Sequence, residues 1–247
     1  MRSVAITQIS GRVGATVLAL NLVHHDVWPR DERILMSLNP ADSGDLFFRF
    51  GFPEQQSIYL DPSELVGDAS SIISLGYDIG VPNRRMPSRL YTTEPSNWIL
   101  PVLPQPSYSA APDPLQSPWW DTALNKALDV DLDVIIDAGR ILPDFYGIHR
   151  RVFEYSDEIY LLISSEWEMQ KAQVVASRFS KKITLVLVGN AAALEENVTQ
   201  FGFQNTLLLP WNQKIDAELA KNTVATAGKE RVMRPYLQLL AEVTDHE

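Results

Sequence analysis

The chain has 247 residues, no cysteine, 31 acidic against 21 basic residues and a formal net charge of −10. With 45% of its residues hydrophobic and 21% charged, it is too apolar for a disordered segment and long enough for one large domain or two small ones. The lack of Cys excludes a disulfide scaffold, a thiolate metal site, an iron–sulfur cluster and a cysteine nucleophile, and the acidic balance disfavours a general electrostatic grip on nucleic acid or anionic lipid.

In chain order, Met1 to Ile9 lacks the charged, apolar, small-residue sequence of a signal peptide, and no apolar run approaches the length of a spanning helix, so a cytoplasmic setting is expected. Ser3 to Ile9 reads as a first strand. A Gly-containing turn follows, then a helix over Val17 to Val23, then a buried strand over Arg33 to Leu38. Nine of the sixteen prolines fall between Pro82 and Pro118. This excursion, about 82–120, also holds Trp98, Trp119 and Trp120. It reads either as an ordered surface segment pinned by its aromatics or as a partner-docking loop carried by those three rings. Within it, Trp98 to Leu103 fits a strand, with Pro101 calling for an edge or a terminus.

Further on, Leu132 to Ile136 is a strand ending at Asp137, and Glu158 to Ser164 is another, followed by the helical run WEMQKAQVVASRF. Lys182 to Val188 ends at Gly189 and Asn190, and Thr206 to Leu209 runs into Pro210. Asp129, Asp131 and Asp133 read as a solvated approach to the Asp137 strand rather than as a cation site. The four histidines, with His149 placed near a turn, form no ligand pattern. From Lys229 to Glu247, Val232, Met233, Tyr236, Leu237, Leu240 and Val243 share one helical face. The opposite side mixes Arg231 and Arg234 with Glu230, Glu242 and Asp245, which suits packing on the domain rather than a membrane. Near-continuous apolar strands alternating with helices predict one doubly wound, mainly parallel α/β sheet with helices on both faces, spanning 1–247 as a single domain.

The first turn reads Gln8-Ile9-Ser10-Gly11-Arg12-Val13-Gly14-Ala15-Thr16. A strand, a Gly-rich turn and a helix N-terminus together make phosphate-binding geometry, because backbone N–H groups and the helix dipole converge on the anion. This stretch resembles the deviant Walker A motif of the ParA/MinD family of P-loop ATPases, K-G-G-V-G-K-T-T followed by an A-x-N-L helix. Gly11, Val13, Gly14 and Thr16 match, as does Ala19-Leu20-Asn21-Leu22. Ser10 stands at the signature lysine, Arg12 at a glycine, and Ala15 at the lysine that contacts the β and γ phosphates. Where the family has D-x-D-P after its second strand, this chain has Ser37-Leu38-Asn39-Pro40. Asp133 to Gly139 resembles the Walker B strand and keeps Asp137. Tyr155 to Ile163, the strand ending at Asn190, and Leu209-Pro210-Trp211-Asn212 resemble the later elements, the last two bordering the base.

The resemblance implies a P-loop NTPase-like fold with a degenerate nucleotide site at Gly11, Arg12, Gly14, Ala15, Thr16, Asn39, Asp137, Asn190 and Pro210. Thr16 and Asp137 would hold magnesium if a nucleotide bound; otherwise Thr16 packs the first helix and Asp137 caps its turn. Loss of both lysines and both acids removes the groups that neutralise charge and orient water, so no ATP turnover and no cofactor are expected. What remains is a non-catalytic scaffold that localises or recruits a cytoplasmic assembly, with the Tad/Flp pilus localisation proteins as the analogy. The expected partners are proteins, including secretion or pilus ATPase components, and a second copy in a dimer insensitive to ATP, with recruitment to the membrane face or a pole. Arg140, Arg150 and Arg151 would then serve as ion-pair or interface residues. The alternatives are a slow ATPase in which Arg12 replaces the lysines, and a DNA-partitioning protein. Against the latter, Ala191 to Gln204 is acidic or neutral, with Glu195 and Glu196.

Overall fold

The computed structural model describes residues 2–11, 13–23, 33–37, 77–78, 97–101, 133–141, 146–179, 183–189, 194, 198–222 and 228–244. Runs dominated by Val, Ile and Leu suit a strand covered on both faces, and such runs form its centre. The strands are β1 (Ser3–Gln8), β2 (Arg33–Ser37), β3 (Tyr77–Asp78), β4 (Asn97–Pro101), β5 (Asp133–Arg140), β6 (Glu158–Ile163), β7 (Ile183–Val188) and β8 (Asn205–Leu209). They form one sheet in the order β3-β4-β2-β5-β1-β6-β7-β8. Every pairing is parallel except that of β3 with β4. The expected α/β class is therefore observed. Pro101 ends β4, at the kind of terminus where a missing N–H is tolerated.

Among the described residues the α-helices are α1 (Ala15–Val23), α2 (Tyr146–Tyr155), α3 (Glu166–Phe179), α4 (Gln213–Asn222) and α5 (Glu230–Thr244). On one face of the sheet, Val152 and Phe153 of α2 and Met169, Ala172, Val175 and Ala176 of α3 pack onto Val134, Ile159 and Leu161. On the other face, α1 is covered by Ile215 and Leu219 of α4 and by Met233, Tyr236, Leu240 and Val243 of α5. The C-terminal helix thus docks on the domain, and the face read from its periodicity is the face it buries. Residues 15–22 of α1 are all buried, which is how a helix apolar around its circumference behaves. Its single buried amide, Asn21, donates from Nδ2 to the Val17 carbonyl at 2.8 Å. Burial pushes the Tyr236 hydroxyl well above the usual phenol range, with the Asn21 side chain beside it opposing the rise.

The N-terminal ends of the central strands are tied together. Arg2 donates its backbone N–H to Asp133 at 2.8 Å, its Nε to Glu158 at 2.9 Å and its Nη2 to the Val243 carbonyl at 3.1 Å. Asp157 accepts from the Ser3 N–H and hydroxyl at 2.8 and 2.9 Å. One guanidinium therefore joins β6 to the end of α5, where a cation also favours the helix dipole. Asp133 corrects the sequence reading: it is buried and bonded, not solvated. Asp129 and Asp131 lie outside the described residues. Arg2→Ala should lower the unfolding free energy by about 1–3 kcal/mol, as for hydrogen bonds to charged groups. Arg2→Lys should recover only part, because a point charge cannot span both acceptors. Urea denaturation of the three proteins checks this.

Candidate functional site

The sequence motifs converge at the C-terminal ends of β1 and β5, neighbours at the centre of the sheet. Ligands in open α/β sheets bind outside the carboxyl ends of the strands, where the connections diverge. Here they diverge at β1, because α1 packs on one face and α2, which follows β5, on the other.

β5 does not stop at Ile136, as expected from the sequence, but runs through Asp137 to Arg140. The register skips a residue: Ile6 faces Asp137, whereas Thr7 faces Gly139, so Ala138 bulges. Gly139 takes a φ of 62°, a conformation glycine adopts at little cost. Three side chains fix the bulge. Asp137 accepts the Gly139 N–H at 3.1 Å, Thr7 donates its hydroxyl to the Gly139 carbonyl at 2.8 Å, and His149 Nε2 lies 2.9 Å from the Ala138 carbonyl. Asp137 thus caps its own turn, one of the two roles expected for it. His149 was read as near a turn; it is instead a buried residue of α2 that reaches back to β5.

The loop after β1 is held from three directions. Gly14 has a φ of 102°, where any L side chain is strained, and a Cβ there would meet the Trp211 ring at 3.6 Å. Trp211 follows Pro210 and is itself packed edge-on to Tyr236, with centroids 6.5 Å apart. Ala15 opens α1, and its N–H, one of the orphan donors of a helix start, is taken by the side-chain oxygen of Gln8 at 3.2 Å. At the other end of the loop, the Ser10 hydroxyl donates to Glu168. Gly11 is exposed, Thr16 is buried as the second residue of α1, and Arg12 lies outside the described residues.

Glu168 belongs to the first turn of α3 and is 2% exposed. It accepts from the Ser164 N–H at 2.6 Å, the Ser164 hydroxyl at 2.8 Å and the Ser165 hydroxyl at 3.2 Å, besides Ser10. Burial pushes its carboxyl up, but these donors outweigh burial and hold it below its ordinary value. The segment Ser165-Glu166-Trp167-Glu168 has the S-x-x-E spacing of a capping box, so its local role was readable from sequence.

Of the remaining site and partner residues, Asn39, Asn190, Trp119 and Trp120 lie outside the described residues. Trp98 is a backbone position in β4, paired with Ile34 and Asp78. Arg140, Arg150 and Arg151 are exposed. Arg150 forms an i,i+4 ion pair with Glu154 at 2.8 Å, a solvated contact of the kind that contributes little. Pro210 is half-buried, and Asn212 caps α4 by accepting the Lys214 and Ile215 N–H groups at 3.0 and 3.2 Å. Gln8, Thr7, His149 and Glu168 hold this region through contacts that the sequence motifs do not assign to them.

Strand order, the Gly-rich turn into α1 and Asp137 within β5 give a P-loop NTPase-like α/β fold of the ParA/MinD type. The chain is similar over its whole length to a ParA family ATPase from Chlorobium tepidum, at 14% identity, TM-score 0.67 and 99% of that chain covered. It is likewise similar to the Cyanothece McdA–ATP complex, at 13% identity and TM-score 0.67, with 99% of this chain and 95% of that one covered. A third likeness is to a chain of the Aquifex aeolicus MinC:MinD cell division protein complex, at 12% identity and TM-score 0.64, covering 99% and 94% of the two chains. These likenesses establish the fold. Comparison with protein-family models and with curated proteins gives no match. Among the described residues no helix is long and apolar enough to cross a membrane, and no group of three or more His, Cys, Asp or Glu side chains is placed to hold a metal ion.

Proposed function

We propose that the chain is a degenerate member of the ParA/MinD family, a scaffold that positions a protein assembly without turning over ATP. The observation that carries this reading is the state of Ala15. It stands where the motif it resembles has the phosphate-contacting lysine, and its N–H already has an acceptor within the protein. Phosphoryl transfer depends on positioning and on neutralising developing charge. The described loop instead presents a methyl group at Ala15, a hydroxyl at Ser10 and the nearby carboxylate of Glu168. With no lysine at Ser10 or Ala15 and one loop N–H already taken, this reading places the function on protein surfaces rather than on nucleotide turnover. A chain of similar fold belongs to the MinC:MinD cell division protein complex, which supports a protein partner. By analogy the partner here is a component of a secretion or pilus machine, joined by a homodimer that forms without nucleotide, at the cytoplasmic membrane face or a pole.

Phosphate release tests the reading. Wild type and Asp137→Ala should both stay at the blank with ATP and magnesium, and sedimentation should not change with ATP. A magnesium-dependent rate abolished by Asp137→Ala would overturn it. Thermal shift adds a binding readout, since a ligand at a hundredfold its Kd stabilises by about 2.7 kcal/mol; no shift is expected with ATP or ADP.

A further inference from the structure

We infer that Gln8 is a built-in occupant at the start of α1: its carboxamide oxygen takes the place of an anion on the Ala15 N–H. The inference rests on the scaffold reading and adds that this N–H is occupied from within the chain. In a P-loop the N–H groups at the start of the helix are left for phosphate oxygens. Here one of them is spent on a side chain of the preceding strand.

The placement of Gln8 is over-determined. Its backbone is paired on one side with Arg140 of β5 and on the other with Leu162 of β6. Its carbonyl accepts the Ile141 N–H at 2.9 Å, and the residue is 2% exposed. A carboxamide held in that position loses little freedom by meeting the Ala15 N–H, and moving it away would leave a buried acceptor to be satisfied elsewhere. Two further contacts reach Ser10 and Gly14 from other elements. Glu168 fixes Ser10, and the Trp211 ring lies over Gly14. A phosphate oxygen accepting from the Ala15 N–H would have to displace Gln8.

Gln8→Met tests this, because it keeps side-chain length and removes the strong acceptor. In wild type, NMR should show the Ala15 amide exchanging slowly and coupled through the hydrogen bond to the Gln8 side-chain carbonyl. In Gln8→Met the Ala15 amide should exchange about tenfold faster, the upper range for one neutral hydrogen bond, with Ile6 in mid-strand unchanged. Titration with tripolyphosphate should leave wild-type loop resonances in place and move those of Gln8→Met. Unchanged Ala15 exchange in a folded Gln8→Met, or absence of the coupling in wild type, overturns the inference. The wild-type coupling is decisive even if the variant does not fold. If wild type hydrolyses ATP, the scaffold reading falls with it; if wild type is inert and the coupling is absent, only the role of Gln8 falls.

Discussion

Glu168→Ala is expected to lower the unfolding free energy by about 3 kcal/mol, a large fraction of the 5–15 kcal/mol that a domain commonly has. Hydrogen bonds to a charged group contribute about 1.5–3 kcal/mol each, but these share one carboxylate and do not add. Ser164 is exposed and regains water when the acceptor goes, whereas the half-buried Ser10 and Ser165 regain less. Glu168→Gln keeps one acceptor oxygen and should cost clearly less. The pH dependence separates charge from shape. The Glu168 carboxyl is held below its ordinary value of 4.5, so the folded state binds its proton less tightly than the unfolded chain. Its contribution is complete above about pH 4.5 and is lost as the pH falls through the lower folded value. Denaturation midpoints of wild type should therefore fall more steeply below pH 4.5 than those of Glu168→Gln. Parallel curves for the two proteins would show that the carboxylate carries no such linkage.

The network around Glu168 also marks where sequence stops being informative. Its bonds to Ser164 and Ser165 are local and follow from the S-x-x-E spacing. Its bond to Ser10 joins residues 158 positions apart and exists because β1 lies beside β6. The apolar strands were legible because a sheet covered on both faces needs continuous Val, Ile and Leu, and because Gly and Asp punctuate the ends. The bulge at Ala138 was not, since it depends on Thr7 and His149 arriving from other elements. Gln8 escaped attention for a related reason. In a motif it is merely the residue before the turn, and only the closed geometry turns its amide toward Ala15. Asp133 was misread because acidic density suggests solvent, whereas the backbone N–H of Arg2 sits opposite it.

The largest loss of stability is expected from Phe153→Ala, about 3–5 kcal/mol, the range for truncating a buried aromatic when the cavity collapses only in part. Phe153 is 2% exposed and meets two rings edge-on, His149 at 6.0 Å and Phe179 of α3 at 5.5 Å. Such aromatic pairs contribute about 0.5–1.5 kcal/mol beyond area burial. α2 has ten residues, too few to hold as an isolated helix, so its order comes from packing. Losing this ring loosens the helix that carries His149, and with it the contact from His149 to the Ala138 carbonyl. The consequence should therefore reach the site: the Gly139 amide, bonded to Asp137, should exchange faster in Phe153→Ala than in wild type. Phe153→Leu conserves much of the volume and should cost less than about 1.5 kcal/mol while leaving Gly139 protected. Urea midpoints with amide exchange at Gly139 measure both effects. A loss below about 1 kcal/mol for Phe153→Ala would mean that α2 is not anchored through this ring, because truncating a buried Phe typically costs about 3–5 kcal/mol.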